Sequence, residues 1–471
     1  MAKIASFGAY IPLFRLSRQE MSDAWGVPAV PGERSVANAD EDSLTMAVAA
    51  GTDCLAGVDP ATIDGLFFAT TTSPYDEKQC AGVIAAALDM RSDINTADFT
   101  GSLRAASTAL RAAADAVDSG SADSILVVAA DCRLGEPESM WEQLLGDGAG
   151  AILISKEGSA TLRGFKSTAG EQLGVWRRSE DRYVRSFESK VEMKYGYLKS
   201  AVEAGQALLD NESLAPGDLA KAVITAGDPG SQGKVARSLG LAGAQVEDML
   251  FMSVGNVGVP QMLMMLAGAL PQAKAGDKLL VVNNGDGADA FLVEIDEEFS
   301  PVAGRKGLAG HLLQKRNLPN YTSYARFRRL MKVDDIDPRG SAVTYWRDIN
   351  VVLNFHAGRC SSCGAVLYPI PRVCGECGTK DKIDEIKLAK TGTVFTFTLD
   401  HLEDGKYVNV PVPRLVLDLE GGGRVFLSMT DGDPEAVKIG MSAEVVFRRM
   451  HDASSFHNYY WKCRPVPRAS S

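Results

Sequence analysis

Apolar residues in the first 300 positions fall into two alternating kinds of run. GLFFATT (65–71), SILVVAAD (124–131) and KLLVVNNG (278–285) are β-branched and lack period-2 alternation, as strands buried on both faces do. Between them lie Ala-rich amphipathic stretches, so the pattern predicts an α/β sandwich over 1–298. From 299 to 345 the chain is polar and basic with scattered Pro and Gly, which predicts a linker with short helices. From 391 Val, Phe and Thr alternate with polar residues in TGTVFTFTLDHL, PRLVLDLEGGGRVFLSMTD, MSAEVVFRRM and HNYYWKCRP. Short strands at this spacing, broken at Gly421-Gly422-Gly423, predict a small antiparallel β-barrel over 387–471.

The first 300 residues also repeat themselves. GDGAGAILIS (146–155) returns as GDGADAFLVE (285–294), and GLFFATTT (65–72) as KAVITAGD (221–228). The stretch TADFTGSLRAASTALRAAADAV matches MLFMSVGNVGVPQMLMMLAGAL as strand, elbow and helix. Three pairs in the same order indicate an internally duplicated domain, against the alternative of ordinary strands ending in Gly-Asp turns.

Charge and cysteine usage narrow the function. The formal net charge of −11 argues against nucleic-acid binding. Residues 305–333 are locally basic and read as a solvated linker or docking segment, with an anion site as the alternative. The N-terminus lacks the charged and apolar regions of a signal peptide, and no apolar run is long enough to span a bilayer. Eight cysteines, four of them clustered, fit a reducing compartment, so the expected location is the cytoplasm.

Cys360, Cys363, Cys374 and Cys377 form two C-x-x-C knuckles, CSSCG and CGECG, within the segment 346–386. Four thiolates suit tetrahedral zinc, and the lack of an open position makes the metal structural; a redox pair is the competing reading. Knuckles followed by a barrel pattern, with YPIPRVCGECG and the terminal HNYYWK, resemble a DUF35 module, a rubredoxin-like zinc ribbon joined to an OB-fold. The resemblance implies a partner of thiolase-superfamily enzymes that handle acyl-CoA.

The duplicated pattern, the DGAGA turn and the GN elbow resemble the thiolase superfamily, and within it 3-hydroxy-3-methylglutaryl-CoA synthase. That resemblance implies a coenzyme A thioester substrate, a homodimer, and an elbow Cys, a Glu, a His and an Asn as catalytic residues. Ser102 or Leu103 stands at the Cys position, Thr71 near the Glu position, and Gly227 or Asp228 at the His position; only Asn256 matches. Residues 1–310 contain no histidine, and Cys54, Cys80 and Cys132 read as structural thiols away from any strand–helix elbow.

An acyl-enzyme needs an activated nucleophile, and Ser102 is equally explained as a helix cap. Aldol-type cleavage or formation of a β-hydroxyacyl-CoA needs only a base and donors for an enolate oxygen. Asn256 and two helix N-termini are the expected donors. Asp228, or Tyr75, Tyr183, Tyr195 or Tyr197, is the expected acid or base. The resemblance extends to retro-aldolases that pair with DUF35 partners and lack the thiolase cysteine. Two alternatives stand beside this reading: a synthase using Ser102 or a histidine donated by the barrel, and a non-catalytic acyl-CoA-binding or partner-bridging protein.

Overall fold

A computed structural model of the protein describes residues 1–187, 189–331, 341–402, 410–453 and 456–466. Parts of the predicted linker (332–340) and barrel (403–409, 454–455, 467–471) lie outside the described residues. The chain divides into two compact units. The first comprises Met1–Ala37, Asp42–Ala85 and Met90–Tyr324; the second comprises Asn38–Glu41, Ala86–Asp89 and the chain from Ala325 onward.

In the first unit, β1 (Lys3–Tyr10), α1 (Ser43–Cys54), β2 (Gly65–Ala69), α2 (Ala81–Ala87), β3 (Asn95–Phe99), α3 (Ala105–Ser119), β4 (Ser124–Asp131) and β5 (Gly148–Ser155) follow one another. The second half repeats them as β6 (Ala160–Ala169), α4 (Leu198–Glu212), β7 (Lys221–Ile224), α5 (Pro229–Ser238), α6 (Gln261–Ala269), β8 (Lys278–Asn284) and β9 (Gly287–Ile295). The nine strands form one sheet in the order β7-β8-β9-β6-β1-β5-β4-β2-β3, a near mirror about the β6–β1 junction. The halves meet there by two residue pairs, Lys3 with Thr161 and Ile4 with Ala160. The duplication read from the sequence is thus a duplication of topology.

Local chemistry sets the helices. Asp42 and Thr45 form a reciprocal capping box at the start of α1, and α3 ends at Gly120 with φ 77°. Helix α6 is apolar nearly all round, with Met262, Leu263, Met264, Met265 and Leu266 fully buried. Burying five such side chains contributes roughly 8–15 kcal/mol in transfer terms before entropy is charged against it. Gly150 of the DGAGA turn lies under this helix: a Cβ there would stand 2.7 Å from Leu263 Cβ. The glycine is a packing requirement.

One predicted element is absent. The stretch 249–256 was expected as a strand leading into an elbow, yet Phe251–Val254 forms turns, with Leu250 at φ 61°. Only the bridge from Ala222 to Val246 stands where β3 has its counterpart. The carbonyls that would build a ladder are taken elsewhere. Glu33 N donates to Met252 O (2.9 Å) and Ser35 N to Val254 O (2.8 Å) from the strand Glu33–Val36. Arg15 Nε donates to Ser253 O (3.1 Å) and Arg18 Nη2 to Phe251 O (2.6 Å). Both arginines are fully buried.

Residues 299–324, expected within the linker, belong to the first unit. The helix Gly307–Leu313 packs on β1 and α6. The buried Asp53 carboxylate accepts from Lys306 N (2.7 Å) and Gly307 N at its start.

In the second unit, β10 (His356–Cys360), β11 (Val366–Leu367) and β12 (Ile383–Lys387) form a small antiparallel sheet carrying the four clustered cysteines. A five-stranded antiparallel sheet follows: β13 (Thr391–Asp400), β14 (Val412–Leu419), β15 (Arg424–Ser428), β16 (Ser442–Ala453) and β17 (Phe456–Pro465), in the order β15-β14-β13-β16-β17. A bridge from Met429 to Cys463 closes it into a barrel. This is the predicted OB-fold. Phe355 stacks obliquely on both Tyr368 (5.5 Å) and Trp461 (5.4 Å), joining ribbon to barrel. Arg448, 1% exposed, pairs with Asp40, Glu41 and Asp431, which ties Asn38–Glu41 into the same unit.

Candidate functional site

Strands β3, β2 and β4 run parallel, with Ala69 level with both Phe99 and Ala129. Their carboxyl ends therefore bring Thr70–Thr72, Thr100–Ser102 and Asp131–Arg133 to one edge. Ligands of open α/β sheets bind outside such ends.

Asp131 organises this edge. Its carboxylate is 0% exposed and accepts five hydrogen bonds. The donors are Thr70 Oγ1 (2.9 Å), Thr71 N (2.7 Å), Thr71 Oγ1 (2.9 Å), Thr72 Oγ1 (3.0 Å) and Val259 N (3.0 Å). Arg133, equally buried, donates from Nη2 to Asn256 Oδ1 at 2.7 Å. Burial holds its guanidinium below the usual arginine range, with Asp131 opposing that shift. Gly258 has φ 78°, and a Cβ there would lie 2.6 Å from Arg133 Nε and 2.7 Å from Asp131 Oδ2. Only glycine fits on both counts.

The predicted site residues divide. Asn256 reaches this edge, but its amide is engaged: Oδ1 also accepts from Gly258 N (3.0 Å), and Nδ2 donates to Ala226 O (3.2 Å) and Gly227 O (3.3 Å). Asp228, next to Gly227, is the N-cap of α5 and accepts from Ser231 N (3.0 Å) and Ser231 Oγ (2.5 Å). Ser102 turns the other way, donating to Gly285 O (3.0 Å) in the second Gly-Asp turn. Nearby, Arg104 and Ser107 bond Asp289 (3.2 and 2.6 Å), and Asn283 bridges Ser107 to Thr225. Tyr197 donates to Thr225 O (2.9 Å), and burial pushes its phenol well above the ordinary range. Tyr195 is 64% exposed.

The two elbows, which precede the helices beginning at Ala105 and Gln261, are unequal donors. At the second elbow Val257 N, Gly258 N and Val259 N are all spent, on Gln261 Oε1, Asn256 Oδ1 and Asp131 Oδ2. At the first, the amides of Gly101 and Ser102 donate to no acceptor among the described residues.

No thiol stands at the first elbow. Cys54 is fully buried, and its thiol is pushed up to about 12 by that burial. Cys80 corrects one expectation, because it directly precedes helix α2; burial still outweighs any effect of the helix and pushes it up to about 11. Cys132, half-exposed, follows Asp131, and its amide donates to Thr72 Oγ1 (3.0 Å). Thr71, Asp131 and Arg133 were missed as a unit. The available signal was an Asp and an Arg closing an otherwise apolar strand.

The cysteine cluster meets a metal's requirements. All four Sγ atoms lie within 4.8 Å of one another, with Cys360–Cys377 and Cys363–Cys374 at 3.7 Å. Ligands about 2.3 Å from a tetrahedral zinc stand about 3.8 Å apart, which matches. The amides of Cys363 and Ser362 lower the Cys360 thiol, and the Thr379 hydroxyl and amide bring Cys377 down to about 6, whereas Cys363, despite the Ala365 amide, is pushed up to about 12 by Cys377 and by burial.

Among the described residues no helix is long and apolar enough to cross a membrane. The sequence model of the 3-oxoacyl-[acyl-carrier-protein] synthase III family matches residues 97–171, and that of the ChsH2 C-terminal OB-fold domain matches 385–448. Among solved structures, a hydroxymethylglutaryl-CoA synthase complexed with CoA superposes with TM-score 0.65 at 18% identity, covering 72% of this chain and 92% of that one. The 3-oxoacyl-[acyl-carrier-protein] synthase III of Aquifex aeolicus gives 0.56 at 22% identity, covering 62% and 100%. These two share the fold. The hydroxymethylglutaryl-CoA synthase of Methanopyrus kandleri is 30% identical over 342 residues, 70% of this chain and 97% of its own length. At this identity and coverage, and with its duplicated halves and Asn256, the chain belongs to the hydroxymethylglutaryl-CoA synthase family.

Proposed function

We propose that the first unit acts on acyl-CoA thioesters and makes or breaks the bond between the α and β carbons of a β-hydroxyacyl-CoA, without a cysteine acyl-enzyme. The observation that carries this reading is the first elbow, where Ser102 donates to Gly285 O and no thiol is present. The hydroxymethylglutaryl-CoA synthase relatives, and the CoA complex among them, support the substrate class. In the cleavage direction a base takes the β-hydroxyl proton, the Cα–Cβ bond breaks, a carbonyl compound leaves, the pair stays on an enolate, and the proton returns to the α-carbon to give the shortened acyl-CoA. The open amides of Gly101 and Ser102 would donate to that oxygen in this scheme. Asn256 joins them by giving up its long contacts to Ala226 and Gly227. Asp228 serves as a helix cap in this scheme.

The four cysteines would hold zinc, which supplies a structural cross-link in the second unit. The N-terminal unit would pair as a homodimer, for which exposed Leu173, Trp176, Phe187, Val191 and Tyr195 offer apolar surface. A monomer by light scattering at micromolar concentration rules this out. A thiolase-family partner would be a further subunit.

The test of the chemistry is intact mass spectrometry after mixing with short and long acyl-CoAs, alongside product analysis with 3-hydroxyacyl-CoAs. Carbon–carbon cleavage or its reverse without mass addition is expected. A stable acyl adduct on Cys132 or Ser102 would establish a synthase instead. Absence of any turnover would leave a binding protein.

A further inference from the structure

All three threonine hydroxyls at the end of β2 give their hydrogen to one acceptor. An ionised carboxylate can only accept, so the contacts from Thr70, Thr71 and Thr72 to Asp131 fix the direction of each bond. What remains on each oxygen is acceptor capacity. Thr70 Oγ1 uses its share on Thr72 N (3.0 Å), and Thr72 Oγ1 uses its share on Cys132 N (3.0 Å). Thr71 Oγ1 receives from no donor among the described residues. Thr71 is also the residue of the three held twice by Asp131, through N and Oγ1, and it is partly exposed.

We infer that Thr71 is a specificity-determining residue whose hydroxyl oxygen accepts a hydrogen bond from the β-hydroxyl of the acyl chain. The inference rests on the proposed acyl-CoA reading and deepens it. A hydroxyl whose own hydrogen is committed to a buried carboxylate cannot rotate to donate to a ketone oxygen. It therefore favours a hydroxyl at the β-carbon over a β-keto or unsubstituted chain. The buried Asp131 acts through Thr71 as a positioning residue: its carboxylate holds both the amide and the hydroxyl hydrogen of Thr71, which fixes the direction of the Thr71 lone pairs.

The experiment is calorimetric binding of three CoA esters matched in chain length: 3-hydroxyacyl, 3-oxoacyl and saturated acyl. Wild-type protein, Thr71→Val and Thr71→Ser are compared, with Thr71→Ala in reserve should the valine variant fail to fold by circular dichroism. Wild type should bind the hydroxy ester about tenfold tighter than the saturated one. Thr71→Val or Thr71→Ala should lose that preference while binding the saturated ester unchanged, and Thr71→Ser should keep it. An equal loss for all three esters would place the acceptor on the common CoA portion and overturn the inference. Wild-type binding of all three without preference would also overturn it, while leaving the acyl-CoA reading intact. Failure to bind any CoA ester would remove both.

Discussion

Replacing Arg18 with Met tests the account of the missing strand. Arg18 is 0% exposed and has no carboxylate partner within ion-pair distance among the described residues. Its guanidinium donates to three backbone carbonyls, Gln143 O (2.8 Å), Pro31 O (2.6 Å) and Phe251 O (2.6 Å), and lies over the Phe251 ring at 4.3 Å. Burial brings its pKa down to about 10, still charged at neutral pH. Methionine keeps most of the aliphatic volume and removes every donor, which leaves the buried Gln143 O and Phe251 O and the part-buried Pro31 O without that partner. At roughly 1–3 kcal/mol each, less the relief of no longer burying a charge, the net loss is about 3–5 kcal/mol. Urea unfolding followed by tryptophan fluorescence and circular dichroism should show this as a lower midpoint of the first unit's transition. Exposed Arg237→Met should change stability by no more than about 0.5 kcal/mol. Arg18→Lys should recover only part, since an ammonium cannot span three carbonyls with a planar fork. A loss below about 1 kcal/mol for Arg18→Met would refute the argument that Arg18, through Phe251 O, helps hold residues 249–255 out of the sheet.

Three further outcomes are expected. Zinc should be present at one per chain by metal analysis, and Cys374→Ser or chelation should unfold the ribbon, because structural zinc supplies about 10–16 kcal/mol of binding free energy. Gly258→Ala should cost at least about 1–2 kcal/mol for its left-handed backbone and, by pushing on Arg133 and Asp131, should lower turnover more than Asp228→Asn does. His356 has a carboxylate on each ring nitrogen, Asp89 at 2.8 Å and Glu385 at 2.6 Å, and the Asp89 contact raises its pKa against the opposing effect of burial. Its contribution is therefore complete below the ordinary value of about 6.5 and is lost as pH rises through the folded value. Second-unit stability should fall on the alkaline side, and His356→Gln should flatten that pH profile.

The duplication, the barrel and the metal cluster were legible because each is written in local pattern. Strands buried on both faces form continuous apolar runs, barrel strands alternate, and ligand cysteines keep a fixed spacing. The missing strand was not legible. LFMSV at 250–254 is as apolar as a strand, and it is turned aside by Arg15, Arg18, Glu33 and Ser35, more than 200 residues away in sequence. For the same reason the reading of 299–345 as a linker with short helices did not show that Asp53 caps the helix Gly307–Leu313 and that 299–324 belongs to the first unit. At the candidate site, Asn256 was found through a short motif. Thr71 was placed only by its nearness to the Glu position, and its pairing with Asp131 escaped because it spans 60 residues between neighbouring strands.

The two halves kept one topology and divided the work between their elbows. In the second half, three consecutive amides and the Asn256 side chain bond to the protein itself: Val259 holds Asp131, Gly258 holds Asn256, and Asn256 holds Arg133. That elbow serves as scaffold for charged groups supplied by the first half. The first elbow keeps its Gly101 and Ser102 amides open and sits on the same sheet edge as Thr71. A duplicated site with two open elbows would present donors at both, whereas this arrangement sets open donors and a fixed acceptor on one sheet edge. A thioester oxygen seeks donors and a β-hydroxyl seeks an acceptor. The asymmetry therefore suits a ligand carrying both groups, and it does so without any residue that must be acylated.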